Sequence, residues 1–231
     1  MRPISEIRRE ARRHLGQRYG ICVGSMLLVG LIGGGVNYLA GLLPLWEGLK
    51  DVVVALLLTN IFDVGLCHIY LQVVQQRPVS IEGLFKPFRR YGHNLGAMAW
   101  QYLWTFLWSL LVFPLLIKGF EYMMVPFLLA DCPSITPRKA LRMSRILADG
   151  HRWDLFLIWL AIYWPILLLI LPVYWIAMAL GTGALLFLLF ALCLSMLLYF
   201  LPSYRAHFSQ MYLELRDEAL QRQILAVEDF Q

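Results

Sequence analysis

Residues 52–74 read VVVALLLTNIFDVGLCHIYLQVV, and within this run Asp63 is the only Asp, Glu, Lys or Arg. A transmembrane α-helix needs about 20 consecutive apolar residues to cross the hydrocarbon core of a bilayer. The run meets that requirement, and further long apolar runs precede and follow it. The sequence therefore predicts an all-α fold, a polytopic bundle of transmembrane helices in a single membrane domain that covers residues 1–231.

The composition of the whole chain agrees with a membrane domain. Hydrophobic residues make up 60% and charged residues 15% of the 231 residues, whereas soluble domains average about 45–50% and about 25%. A formal net charge of +5 is also found in nucleic-acid-binding proteins, but here the basic residues lie in short stretches beside the apolar runs. We therefore expect the lipid bilayer, and no nucleic acid, as a partner.

The apolar runs predict about six membrane spans. They are expected at residues 21–43, 52–74, 95–114, 116–130, 154–177 and 183–201. The fourth span is short or re-entrant, because a helix of that length extends only about 20 Å against a hydrocarbon core of about 30 Å. Pro114 and Gly119 predict the break before it, with Lys118 and Glu121 near the outer surface of the membrane.

The distribution of Lys and Arg predicts the orientation of the bundle. Basic residues are concentrated in the links at 75–94 and 131–153, and the positive-inside rule places these links and both termini in the cytoplasm. Within the second link, Thr136 as N-cap and Gly150 as terminator predict a cytoplasmic helix at 137–149.

Two terminal segments have an amphipathic pattern. Residues 1–19 carry six arginines and two glutamates. Their apolar residues recur at helical spacing, at Ile4, Ile7, Ala11 and Leu15. This pattern predicts a basic amphipathic helix on an anionic membrane face. Residues 205–231 predict a second amphipathic segment, a cytoplasmic tail.

Asp63 is the unusual residue of the second span, because a charge at the centre of a bilayer costs at least about 2.5–3.5 kcal/mol on insertion scales. At 100° per residue, further polar side chains fall within about 60° of it on the same helix face. They are Thr59, Asn60 and Tyr70. Two interpretations are open: this polar stripe is a path for a proton or small solute, or it forms interhelical hydrogen bonds that hold the bundle together.

A row of basic residues at 137–153 is the second candidate site. Its members are suited to anionic headgroups or to a partner protein on the cytoplasmic face. They are Arg138, Arg142, Arg145, Arg152 and Trp153. Orientation of the chain in the membrane explains the same charges equally well.

No pattern typical of an enzyme is present in the sequence. The serines of the apolar runs lack a G-x-S-x-G turn, the cysteines form no CxxC, and no two histidines have metal-ligand spacing. We therefore predict no catalytic residue, no metal and no cofactor.

Three motifs carry a resemblance to a known family. The first is Ser5-Glu6-Ile7-Arg8-Arg9-Glu10-Ala11, and the second is Gly65 with Val79-Ser80-Ile81-Glu82-Gly83-Leu84-Phe85 and Phe88. The third runs from Ile117-Lys118-Gly119-Phe120-Glu121-Tyr122 through Pro126-Phe127-Leu128-Leu129-Ala130-Asp131-Cys132-Pro133, Ala140 and Ser144 to Asp149-Gly150-His151-Arg152-Trp153-Asp154-Leu155-Phe156.

In this order the motifs resemble the domain of unknown function nine-seven-five family of prokaryotic membrane proteins, over most of the chain. Arg152 stands where that family usually has Lys, which keeps the charge. The resemblance implies a multi-pass protein of the prokaryotic cytoplasmic (inner) membrane, and it implies no activity.

The leading functional prediction is a non-enzymatic membrane scaffold or adaptor that docks another membrane protein or an anionic lipid on its cytoplasmic face. The alternative is a small-solute or proton-coupled transporter or channel that uses the polar stripe around Asp63. Oligomeric state is not indicated by the sequence.

Overall fold

All the regular structure in the described part of the chain is helical. The computed structural model describes residues 3–42, 46–110, 118–180, 189, 191–192 and 194–230. Its α-helices are α1 (Ile4–Gln17), α2 (Tyr19–Gly41), α3 (Glu47–Val54), α4 (Asn60–Val74), α5 (Tyr91–Ser109), α6 (Val125–Asp131), α7 (Pro137–Ala148), α8 (Arg152–Leu180) and α9 (Leu201–Gln221). Turns of π-helix lie at Ala55–Thr59 and Met196–Phe200, and 3₁₀ helices lie at Ile81–Arg90 and Val227–Phe230.

The all-α prediction is confirmed for these residues. Two helical stretches are long and apolar enough to cross a membrane, Tyr19–Gly41 and Val52–Val74. The predicted break at Pro114 and the residues 183–188 of the last predicted span lie outside the described residues.

Several helices are buried over one part of their length and exposed over the other. In α2, Cys22 and Met26 are buried, whereas Leu31 and Tyr38 are each 75% exposed. The segment before α4 exposes Val52 and Leu57 in the same way. We give the name exposed apolar segments to those residues of 27–42, 46–59, 102–110 and 159–200 whose side chains the structure describes, all of which are exposed or half-buried except Val54. The rest of the described chain is called the packed region. Exposed apolar surface this extensive is typical of a face that contacts lipid or another apolar surface.

Helix α4 lies at the centre of the packed region. It contacts the 3₁₀ helix Ile81–Arg90, α6, α9 and α1. A close contact is made at Gly65, where the backbone of Leu84 approaches so nearly that a Cβ atom would overlap the Leu84 carbonyl oxygen and lie 3.1 Å from its carbon. A residue without a side chain is therefore required at Gly65 for the 3₁₀ helix to pack on α4.

Replacing this glycine is expected to destabilise the packed region. Gly65→Ala forces the Leu84 backbone away from α4, and overpacking of this kind costs about 1–3 kcal/mol. Gly96→Ala is the matched control, because a Cβ there has no atom within 4 Å and alanine favours a helix over glycine by about 0.5–1 kcal/mol. Thermal unfolding in detergent should show a lower midpoint for Gly65→Ala and an unchanged or higher one for Gly96→Ala. Equal midpoints would contradict the close approach.

Helix α9 is joined to distant parts of the chain by charged contacts. Arg216 pairs with Asp131 at 2.8 Å, and the Tyr212 hydroxyl donates to the same carboxylate at 2.9 Å. Further along, His151 lies 3.2 Å from Glu218. The sequence predicted an amphipathic tail from residue 205, and the structure buries the apolar face of this helix against α1, α4 and Phe127 of α6.

Helix α1 differs from the prediction in what its apolar face contacts. Ile7 and Ala11 are fully buried against the protein, since α9 and α4 cover this face. The expectation that this apolar face rests on the membrane is therefore wrong. The helix exposes Arg9, Arg12 and Arg13 instead.

His207 lies buried where α9 packs on α1. Its Nδ1 contacts the Ser203 carbonyl oxygen, and its Nε2 has no hydrogen-bond partner among the described residues. Burial lowers the pKa of His207 to about 4, and the positive charges of Arg8 and Arg12 act in the same direction. The imidazole is therefore neutral in the folded protein at neutral pH.

This histidine should make the fold sensitive to acid. The unfolded chain takes up a proton near pH 6.5, whereas the folded chain does so only near pH 4. The free energy of unfolding therefore falls as pH drops through this window, by up to about 3 kcal/mol, and is unaffected by His207 above it. Thermal midpoints measured from pH 7.5 to 4.5 should fall less steeply for His207→Gln than for the unchanged protein. Parallel pH profiles would exclude this role.

Candidate functional site

Asp63 has an ionic partner that the sequence analysis did not identify. Its carboxylate pairs with the Arg205 guanidinium, which also donates from Nη1 to the Cys67 sulfur at 3.5 Å. The two charged side chains are 29% and 19% exposed. No sequence spacing predicts the pair, because Arg205 lies 142 residues away at the start of α9.

The other residues of the predicted polar stripe are divided. Tyr70 is fully buried and donates to the Met26 sulfur at 3.6 Å. Asn60 is buried, and its Nδ2 has no partner among the described residues. Thr59 is exposed. The structure therefore brings Asp63 to Arg205 and leaves Thr59 apart.

A turn of π-helix lies at the start of the stripe, at residues Ala55–Thr59. Residues 60–63 are α-helical, so Thr59 keeps the angular position relative to Asp63 that the stripe assumes. Thr59 is exposed because it lies in the exposed apolar segment 46–59, beyond the part of the helix that other elements cover. Within the π-turn, the Leu57 carbonyl accepts from the Tyr91 hydroxyl at 2.7 Å.

Removing one member of the Asp63–Arg205 pair should destabilise the fold. Surface pairs are worth about 0–1 kcal/mol, and breaking fully buried pairs costs about 3–5 kcal/mol. The pair is partly exposed, so we expect Asp63→Asn to cost about 2 kcal/mol. The charge exchange Asp63→Arg with Arg205→Asp should recover at least half of that loss in a thermal unfolding assay.

The matched control is Asp217→Asn, because Asp217 is 60% exposed and lies 3.5 Å from the neighbouring Arg216. Its unfolding midpoint should be unchanged. The single variants Asp63→Arg and Arg205→Asp complete the comparison. If the charge-exchanged protein loses as much stability as these two variants lose together, the pair does not join α4 to α9.

The predicted row of basic residues is already engaged within the protein at three positions. Arg138 lies over the Trp100 ring at 5.6 Å, Arg145 donates to the Tyr122 hydroxyl at 2.7 Å, and Arg152 pairs with Glu121 at 2.9 Å. All five members of the row are nevertheless exposed, including Arg142 and Trp153. The helix Pro137–Ala148 carries Arg138, Arg142 and Arg145, with the Thr136 hydroxyl accepting from the Lys139 amide and Gly150 at φ +78°. Arg152 and Trp153 begin the next helix, α8.

Glu121 is a buried carboxylate between two cations. It is 2% exposed, pairs with Lys118 at 2.5 Å and with Arg152 at 2.9 Å, and its carbonyl accepts from the Ser144 hydroxyl. Burial of a carboxylate requires such partners. The sequence analysis expected Glu121 and Arg152 on opposite sides of the membrane. That expectation is wrong, since the two side chains touch.

A basic cleft that the sequence analysis did not assign lies between the 3₁₀ helix Ile81–Arg90, α4 and the end of α6. Its volume is about 560 Å³. The charged side chains that line it are Glu82, Lys86, Arg89 and Arg90. Within the described residues, no carboxylate forms an ion pair with Lys86, Arg89 or Arg90. The cleft therefore carries a net positive charge.

Hydrogen bonds hold the walls of the cleft in place. His68 contacts the Ala130 carbonyl oxygen through Nδ1 and Lys86 Nζ through Nε2, both at 3.2 Å. This arrangement fits a neutral imidazole, which donates from Nδ1 and accepts at Nε2. Arg90 donates to the Pro133 carbonyl at 3.1 Å. The polar wall is thus organised by α4, the 3₁₀ helix and the segment after α6.

The cleft could have been suspected from the sequence in part. The link at 75–94 combines apolar residues at helical spacing with several cations, and the positive-inside rule accounted for the cations without a site. What the sequence did not supply was the second wall, which comes from residues 129–133.

Comparison of the chain with family models, with curated proteins and with solved structures finds no match. Within the described residues, no group of three or more His, Cys, Asp or Glu side chains is arranged to hold a metal ion.

Proposed function

We propose that this chain is a non-enzymatic, multi-pass protein of the prokaryotic cytoplasmic membrane, a scaffold that binds an anionic phospholipid at the basic cleft on its cytoplasmic face. In this proposal the bundle has about six spans, both termini are cytoplasmic, and the chain belongs to the domain of unknown function nine-seven-five family that its motifs resemble. The segment at 118–131 is re-entrant and returns to the cytoplasmic side.

The exposed apolar segments support the membrane location. They extend from a packed region that already buries its own apolar residues, so a second apolar medium is needed to cover them. Two contacts support the re-entrant segment: the Ser144 hydroxyl donates to the Glu121 carbonyl, and Arg152 pairs with the Glu121 carboxylate. They keep residue 121 beside the basic helix α7 and the start of α8.

The charge of the cleft is the observation that carries the proposed ligand. Lys86, Arg89 and Arg90 face one carboxylate, Glu82, and lie beside apolar side chains such as Phe85, which is 43% exposed. Basic pockets next to membrane helices on the cytoplasmic side suit the headgroups of anionic lipids. A transporter through the Asp63 stripe has less support, because the carboxylate of Asp63 is neutralised by Arg205.

Removing one cleft cation should weaken anionic-lipid binding. Each Lys or Arg near a membrane surface contributes about 1 kcal/mol, so Arg89→Gln should lower the retention of phosphatidylglycerol about fivefold. Arg142→Gln is the matched control, since Arg142 is exposed on α7 and outside the cleft. Native mass spectrometry of protein released from nanodiscs measures the lipid retained. A loss for Arg142→Gln with none for Arg89→Gln would place the binding on α7 and reject the cleft.

A further inference from the structure

Asn94 adds a buried hydrogen-bond acceptor to the wall of the cleft. It lines the cleft and is 3% exposed. Its Nδ2 donates to the Pro87 carbonyl at 2.8 Å, which sets the orientation of the amide. Its Oδ1 has no partner among the described residues. A buried acceptor without a donor is unfavourable, and a ligand that carries a donor would satisfy it.

The polar groups of the cleft are therefore of two kinds. Lys86, Arg89 and Arg90 favour an anion, and charge-assisted hydrogen bonds to phosphate oxygens are the strong form of that contact. The Glu82 carboxylate and the Asn94 Oδ1 favour hydrogen-bond donors. A ligand that matches both kinds carries a phosphate together with hydroxyl or ammonium groups.

The net charge of the cleft distinguishes a hydroxyl donor from an ammonium donor. Three cations face a single carboxylate in the cleft, so an ammonium group would meet net repulsion. A neutral hydroxyl meets none and can still donate to Glu82 and to Asn94. The donor that fits is consequently a hydroxyl group.

The surroundings of the cleft favour a lipid over a free phosphate ester. Tyr91, which follows the 3₁₀ helix, bonds to the Leu57 carbonyl in an exposed apolar segment. Leu57 and Phe85 are themselves exposed. Acyl chains could therefore lie along this apolar surface while the headgroup occupies the cleft.

We infer that the cleft selects a phospholipid with a phosphoglycerol headgroup, its phosphate held by Lys86, Arg89 and Arg90 and its glycerol hydroxyls by Asn94 and Glu82. The inference rests on the proposed function, which requires only an anionic lipid. It adds that the hydroxyl groups of the headgroup are recognised.

The test compares phosphatidylglycerol with phosphatidic acid of the same acyl chains, because phosphatidic acid has the phosphate and lacks the glycerol headgroup. Native mass spectrometry of protein from nanodiscs that contain both should show at least a fivefold preference for phosphatidylglycerol. Asn94→Leu should bring this ratio close to one while retention of phosphatidic acid stays within twofold. Arg89→Gln should lower the retention of both lipids and leave the ratio unchanged.

Glu82→Ala keeps the test decisive if Asn94→Leu does not fold. Glu82 is exposed, so its replacement leaves the packed region intact, and it should also lower the ratio. An unchanged ratio in Glu82→Ala and in a folded Asn94→Leu would overturn the inference.

Two further outcomes separate this inference from the proposed function. Equal retention of the two anionic lipids by the unchanged protein would overturn the headgroup selection and leave anionic-lipid binding in place. Retention of neither lipid above phosphatidylcholine would reject the proposed function itself.

A competition experiment tests whether the headgroup comes from a lipid. Displacement of the bound lipid by soluble glycerol 3-phosphate at equal concentration would overturn the lipid as the source of the headgroup.

Discussion

The burial of a charged helix, α9, is the constraint on which the packed region depends. A charge removed from water needs a partner of opposite sign, and two charges of α9 find such partners in other elements. Arg205 pairs with Asp63 on α4, and Arg216 pairs with Asp131 at the end of α6. The Glu218 carboxylate also lies within hydrogen-bond distance of His151, before α8. These contacts set where α4, α6 and the start of α8 lie relative to one another, and α1 packs on a further face of α9.

A second close contact determines the basic cleft. The absence of a side chain at Gly65 lets the backbone of Leu84 rest on α4, which brings the cations of the same 3₁₀ helix opposite residues 129–133. Because α6 is held by Asp131 and α9, the two walls of the cleft depend on the same ionic framework. The proposed binding of a phospholipid thus follows from packing that is needed for the fold in any case.

The sequence analysis succeeded where a signal was local. Thr136 and Gly150 delimit a helix through hydrogen bonds and backbone angles within a few residues, and the structure has that helix at Pro137–Ala148. It failed where the neighbour was distant. The apolar face of α1 was assigned to the membrane because α9 could not be placed against it, and Asp63 was given no ionic partner because Arg205 lies 142 residues further along the chain.

The sequence by itself determined the helical class and the two helices that are long and apolar enough for a membrane, because periodicity, length and composition are properties of contiguous residues. It also predicted that Asp63 faces protein or water or is protonated, since a charge within an apolar run is costly. Only the tertiary structure decided that the partner is Arg205, that Glu121 meets Arg152, and that Asn94 lines a cleft with three cations. Those contacts join residues far apart in the chain, and they arise from the packing of whole helices.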